Sequence, residues 1–210
     1  MSQQASDRST KWAEIAAAII LSLASLLTAW SSYQATQWTR AQASNANAVI
    51  ATLLESSQTA TLGGQDTLID VVTFTSWLEA VSTENQLLAD FYRGRFREEF
   101  KPAFEAWLAI GPLTNPDAPS SPFAMAEYAP ARRQAAQDLQ KEAAELQGKV
   151  RMASENAAYY VRNTLFLALA LFLVGISRMF PSIKVRLALQ VLAAGLLLLG
   201  AGYAITGPIA

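Results

Sequence analysis

Three apolar stretches, one near the start and two near the end, most restrict what this chain can fold into. Crossing a hydrocarbon core of about 30 Å takes about 20 helical residues at 1.5 Å each. The first stretch meets that length, with Glu14 at its inner edge. The last nearly does, with Gln190 as its only strongly polar side chain, and it is apolar all round, unlike a helix of a globular core. The middle stretch is shorter, but Arg162 and Arg178 flank it and can snorkel, so 161–180 still suffices. The spans are read as 13–33, 161–180 and 187–205.

Lys and Arg set the orientation. Arg8 and Lys11 precede the first span, and Arg178, Lys184 and Arg186 lie around the hairpin 181–186 without an acid. The positive-inside rule places both sets in the cytoplasm. The expected topology is a cytoplasmic N-terminus over 1–12, an extracytoplasmic domain over 34–160, a cytoplasmic hairpin and an extracytoplasmic end over 206–210. Trp30, Tyr33, Tyr159, Tyr160 and Tyr203 would mark the outer interface, and Trp12 and Phe180 the inner one. The first span reads as a retained anchor rather than a cleaved signal, because Leu27-Thr28-Ala29 lacks the small residue three places before a cut. With so few residues outside the spans on the inner side, no cytoplasmic effector domain is expected.

Residues 34–160 carry ten Lys/Arg against fifteen Asp/Glu, a net of −5, which argues against nucleic acid as a partner. Cys and His are both absent. That removes disulfides, thiol nucleophiles, the commonest general base and the commonest transition-metal ligand. No cofactor or metal signature is present, and no enzyme is expected.

The domain over 34–160 reads as helix throughout. The first span is expected to continue to about Thr61 and stop at Gly63-Gly64. A second helix would restart near Asp66 and run back toward the membrane, with Val71, Phe74, Leu78, Val81, Leu88 and Phe91 along it. Gly94 and Lys101-Pro102 interrupt it, and Phe96, Phe100, Phe104 and Trp107 then line one side. The connector 111–122 has Pro116, Pro119 and Pro122 at every third residue, the repeat of a polyproline II turn. It reads as a stiff strap pinned by Phe123 and Met125, with a docking ligand for another protein as the alternative. From about Pro130 the positions Ala136, Leu139, Ala143, Leu146, Val150, Ala153, Ala157, Tyr160 and Thr164 alternate steps of three and four. That is a coiled-coil-like seam of mostly small residues entering the second span unbroken. The fold class is therefore all-α: three transmembrane helices with an extracytoplasmic long-helix bundle or coiled-coil stalk.

Trp30-Ser31-Ser32-Tyr33-Gln34, Phe91-Tyr92-Arg93 through Phe100-Lys101-Pro102-Ala103-Phe104, Pro112-Leu113-Thr114-Asn115-Pro116, Ser121-Pro122-Phe123-Ala124-Met125 and the closing pair of spans stand out as motifs. Together they resemble a family of uncharacterised bacterial three-span membrane proteins. The resemblance implies a bacterial plasma (inner) membrane and carries no activity with it.

Three constellations are candidates for function. Arg93, Arg95, Arg97 and Lys101 would reach lipid headgroups if the second helix returns to the bilayer, each basic residue adding about 1 kcal/mol; the alternative is a solvated face neutralised by Glu98, Glu99 and Glu105. Ala18, Ser22, Ser25, Ala29 and Ser32 form a small-residue stripe on one face of the first span, suited to close helix packing or to lining a pore. No ionisable residue lies at the middle of a span, so the charge relays of ion-coupled transporters are missing. Gln42, Asn45, Asn156 and Asn163 are polar positions that can fix helix register. The expected role is a non-enzymatic, self-associating scaffold or interaction module in the cell envelope. Its expected partners are membrane lipid, further copies of itself and an envelope protein. The alternative is an oligomeric passive pore lined by the small-residue face.

Overall fold

The structure, a computed structural model, describes residues 2–112 and 114–210, with side chains from Lys11 onward. Arg8 and Leu113, which carry parts of the orientation and family readings, lie outside the described side chains. All regular elements among the described residues are helical: α1 (Ser2–Ser82), α2 (Gln86–Arg93), α3 (Lys101–Ala109), a single 3-10 turn at Pro122–Ala124, α4 (Ala131–Ser177) and α5 (Ile183–Thr206). Helices α1, α4 and α5 are each long and apolar enough to cross a membrane. The chain forms two compact units, one of 1–47 with 147–210, the other of 48–146.

In the first unit three helices share a core of small and branched side chains. Ala17, Ile20 and Ala24 of α1 meet Leu167, Ala170 and Val174 of α4 and Ala193 and Leu197 of α5. Such residues let backbones approach closely, the main source of helix association where lipid removes the hydrophobic incentive. Gly200 shows how close: a Cβ there would fall 2.5 Å from Leu167 Cδ2. Two amides cross-link the three helices. Asn163 Nδ2 donates to Ser31 Oγ at 2.9 Å and to the Gly200 carbonyl at 3.0 Å. Gln190 Nε2 donates to the Ala13 carbonyl at 3.1 Å. Near the last residues, Trp38 Nε1 and Tyr160 OH both donate to the Pro208 carbonyl. Tyr160 is fully buried, so it serves the core and not an interfacial aromatic belt. Tyr159 meets Tyr203 with the rings tilted, 4.9 Å between centroids, and donates to the Tyr203 carbonyl.

In the second unit the expected break at Gly63-Gly64 does not occur. Helix α1 runs through both glycines to Ser82, so the separate helix expected to restart near Asp66 does not form. Gly63 serves packing: a Cβ there would lie 3.2 Å from Arg132 Cβ, so its hydrogen lets α4 approach. Ser56 Oγ donates to the Ala136 carbonyl at 2.9 Å across the same contact. The helix instead ends at a motif without Gly or Pro. Glu84 takes φ 56, Asn85 N donates back to the Ala80 carbonyl at 2.9 Å, and Asn85 Oδ1 then caps α2 by accepting from Leu88 N.

Beyond that turn, aromatic rings fill the core. Phe96, Phe100, Phe104 and Trp107 are all buried, meeting Phe74 and Trp77 of α1. Phe100 stacks on Phe123 at 5.2 Å, and Trp77 meets Phe104 edge-on at 4.8 Å. The buried row of α1 here is Gly63, Asp70, Phe74 and Trp77, while Val71, Leu78 and Phe91 stay exposed. The connector is not a polyproline II strand. Asn115 N donates to the Gly111 carbonyl, Ala118 N to the Asn115 carbonyl and Asp117 N to Asn115 Oδ1, which folds the segment into successive turns. Trp107 Nε1 donates to the Pro119 carbonyl at 2.7 Å and ties those turns to α3.

Candidate functional site

The densest polar cluster sits in the second unit, beside the aromatic core. Asp70 is placed there by α1, and its side chain is 1% exposed. Arg97, in the loop between α2 and α3, donates to Asp70 Oδ2 at 3.1 Å and pairs with Asp66 at 3.2 Å and Glu99 at 2.9 Å. Arg132, at the start of α4, reaches Asp66 at 2.9 Å. Tyr128 OH donates to Asp70 Oδ2 at 3.2 Å. Asp70 Oδ1 is buried without a partner among the described residues.

Burial pushes the Asp70 carboxyl above its ordinary range, against the pull of Arg97 and of Tyr128. Burial also raises the Tyr128 hydroxyl. Burial lowers the affinity of Arg97 for its proton, but Asp70, Asp66 and Glu99 together outweigh it and the net shift is upward. Each carboxylate of the cluster is tied to a guanidinium, and no pair of free carboxyls faces a common space. What this arrangement does chemically is clamp: α1, the loop before α3, Tyr128 and the start of α4 meet on Asp66 and Asp70.

The basic residues expected at a lipid surface are spent in this unit. Arg97 belongs to the clamp. Arg93 forms a two-pronged pair with Glu105, at 2.7 and 2.9 Å, and Lys101 pairs with Glu98. Arg95 lies over the Phe91 ring at 3.5 Å. The headgroup reading rested on a helix returning to the bilayer, and the unbroken α1 removes that premise.

The small-residue stripe of the first span is placed differently. Ala18, Ser22, Ser25, Ala29 and Ser32 are all exposed, while the neighbouring row Ala13, Ala17, Ile20, Ala24 and Ser31 faces α4 and α5. Ser25 Oγ donates to its own helix, at the Leu21 carbonyl. Of the α4 row, Ala136, Ala143, Ala153, Ala157 and Tyr160 are buried, and Leu139, Leu146, Val150 and Thr164 half-buried. Of the polar register positions, Asn163 is fully buried and Gln42, Asn45 and Asn156 half-buried.

Sequence reasoning missed the Asp66–Asp70–Arg97–Tyr128 clamp. Asp66 and Asp70 are one turn apart on α1, but Arg97 and Tyr128 reach Asp70 from distant parts of the chain, a meeting that local spacing does not display. Among the described residues no group of three or more His, Cys, Asp or Glu side chains is arranged to hold a metal ion. Compared with models of protein families, with curated proteins and with solved structures, the chain matches none.

Proposed function

We propose that this protein is a multi-pass membrane protein that self-associates and acts, without enzymatic chemistry, as a scaffold or interaction module of the cell envelope. The domain over 34–160 is the extracytoplasmic part and the hairpin 181–186 is cytoplasmic, on the strength of the Lys/Arg bias. One observation carries the reading. The stripe Ala18, Ser22, Ser25, Ala29 and Ser32 has the composition of a close-packing helix face, yet the chain's own three-helix core uses the adjacent row. A second copy satisfies a face that the chain itself leaves open. A pore inside one copy is disfavoured by a core in which Ala17, Ala24, Leu167, Ala170, Val174 and Ala193 are all essentially without exposure. A pore would have to lie between copies.

Ser25→Lys separates scaffold from pore. In a dry contact the buried charge costs at least several kcal/mol and disperses the assembly. In a wet lumen it is tolerated and shifts selectivity toward anions. The scaffold reading expects dispersal, read as particle mass in lipid nanodiscs. A reconstituted Ser25→Lys protein that stays assembled and conducts with altered selectivity overturns it.

A further inference from the structure

Helices α1 and α4 of the second unit pack against each other and turn their opposite faces outward, and those faces differ in kind. Over 131–146, α4 carries Arg132, Arg133, Asp138, Lys141, Glu142 and Glu145, all exposed, the surface of a helix kept in water. Over 48–65, α1 carries a single charge, Glu55. About 100° or more around the helix from the buried row of Ser56, Gly63 and Asp70 runs Ile50, Leu54, Ser57, Thr61, Gly64, Leu68, Val71 and Thr75, at alternating steps of four and three. Every one is uncharged and exposed; Ile50 is 66% exposed, Leu54 59% and Leu68 62%. The steps are those of a seam between two parallel helices. The small members leave a trough of about 360 Å³ lined by Ser57, Gln58, Thr61 and Leu62, a hollow that can receive side chains of a facing helix.

We propose that this face of α1 is covered by the same face of a second copy, in a parallel, two-fold contact. The inference rests on the reading above, that the chain lies in a membrane and self-associates. Copies inserted in one bilayer share one orientation. A two-fold axis relating them runs along the membrane normal, and a helix beside that axis meets its own copy in register, each residue opposite itself. Such a contact sets like against like. On the α4 face it would set Lys141 on Lys141 and Glu142 on Glu142. On the α1 face it sets Leu54 on Leu54 and Leu68 on Leu68, with no charge to repel. The exposed apolar side chains there, Leu62 and Val72 included, amount to roughly 500 Å² per copy, the upper range for a monomer's largest patch. With the polar groups between them they approach the ~800 Å² per partner of a stable interface.

The chain contains no cysteine, so single cysteines report without background. Full-length protein in lipid nanodiscs, with Leu54→Cys, Thr61→Cys or Leu68→Cys, is oxidised mildly and compared with Glu55→Cys and Glu142→Cys. Disulfides need Cα atoms within about 7 Å, so only residues at the seam pair with themselves. The three seam variants are expected to form covalent dimers at least roughly 10-fold faster than the two controls. A particle that is oligomeric by mass but shows no preference for the seam, or prefers Glu142→Cys, overturns this contact and leaves self-association standing. A particle of a single 22.7 kDa chain overturns both. As a second readout, the double variant Leu54→Lys with Leu68→Lys, carried on Thr61→Cys, is expected to keep its helical circular dichroism and to crosslink at position 61 at least roughly 10-fold more slowly. A double variant that still crosslinks there at the seam rate overturns the proposal.

Discussion

The two units solve the same problem, helix against helix, with opposite materials. The unit 48–146 buries large rings: Phe74, Trp77, Phe96, Phe100, Phe104 and Trp107 in mutual contact. The unit of 1–47 and 147–210 buries alanines beside Leu167, Val174 and Leu197. In water, stability comes from apolar area removed from solvent, and an aromatic ring supplies 150–250 Å² at a time. In lipid that incentive is gone, and close backbone approach and hydrogen bonds between helices replace it. The polar content of the two cores follows the same division. The aromatic unit holds its buried Asp70 with a guanidinium and a phenol, whereas the buried polar side chains of the apolar unit are, among the described residues, the neutral Ser31, Gln34, Asn163, Ser177 and Gln190, with Arg186 mostly buried beside Glu14.

Truncating a ring is the strongest way to probe this contrast. Phe100→Ala removes a fully buried side chain stacked on Phe123 and met edge-on by Phe96, and it is expected to cost about 3–5 kcal/mol. Thermal melting followed by near-ultraviolet circular dichroism measures it, through the buried Trp77 and Trp107 of that unit. A loss below about 1 kcal/mol would mean that the aromatic cluster is not what holds the unit together.

The clamp comes next. Asp70→Ala leaves Arg97, itself mostly buried, with only Asp66 and Glu99, and is expected to cost about 2–4 kcal/mol. The pH dependence has a defined sign. The folded carboxyl titrates above its ordinary value of 3.8, so the folded chain holds the proton more tightly than the unfolded chain. Its contribution is therefore fully present below that ordinary value and is lost as pH rises through the folded pKa. The stability of wild type relative to Asp70→Asn should fall with rising pH across this window and be flat above it. Chemical denaturation at a series of pH values checks this; a difference that rises with pH would show that Arg97 outweighs desolvation at Asp70.

The smallest expected effect lies in the apolar unit. Ala24→Leu inserts a branched side chain where Ala24 has no exposure, and overpacking there is expected to cost about 1–3 kcal/mol. Ala16→Leu, exposed and outside both the buried row and the open stripe, is the paired control. Unfolding in mixed micelles reports both, and equal effects would erase the distinction between the buried row and the rest of the helix surface.

Some of this was legible in the residues. The burial of Ala136, Ala143, Ala153 and Ala157 follows a row of small side chains at steps of three and four. Phe96, Phe100, Phe104 and Trp107 announce a common face by spacing alone. What was illegible has physical causes. Gly63-Gly64 looks like a stop because glycine is costly inside a helix, by up to about 1 kcal/mol. Here close approach to Arg132 offsets that cost, a tertiary contact that local sequence does not display. The true stop at Glu84-Asn85 lacks the usual Gly and Pro. Nothing local marks Asp70 for burial: Arg97 and Tyr128 reach it from 27 and 58 residues along the chain. The stripe Ala18–Ser32 was visible as a face, but its exposure shows only when the adjacent row is seen to serve the core.

The central claim, that this chain sits in a membrane and leaves a face of α1 to another copy, is tested most directly by subunit mass. Full-length protein extracted with native-like lipid into nanodiscs and weighed by native mass spectrometry is expected to give particles holding two or more copies of the 22.7 kDa chain, at concentrations well below those that force collision. Particles that hold one copy throughout a dilution series, with the three helices intact, would contradict it.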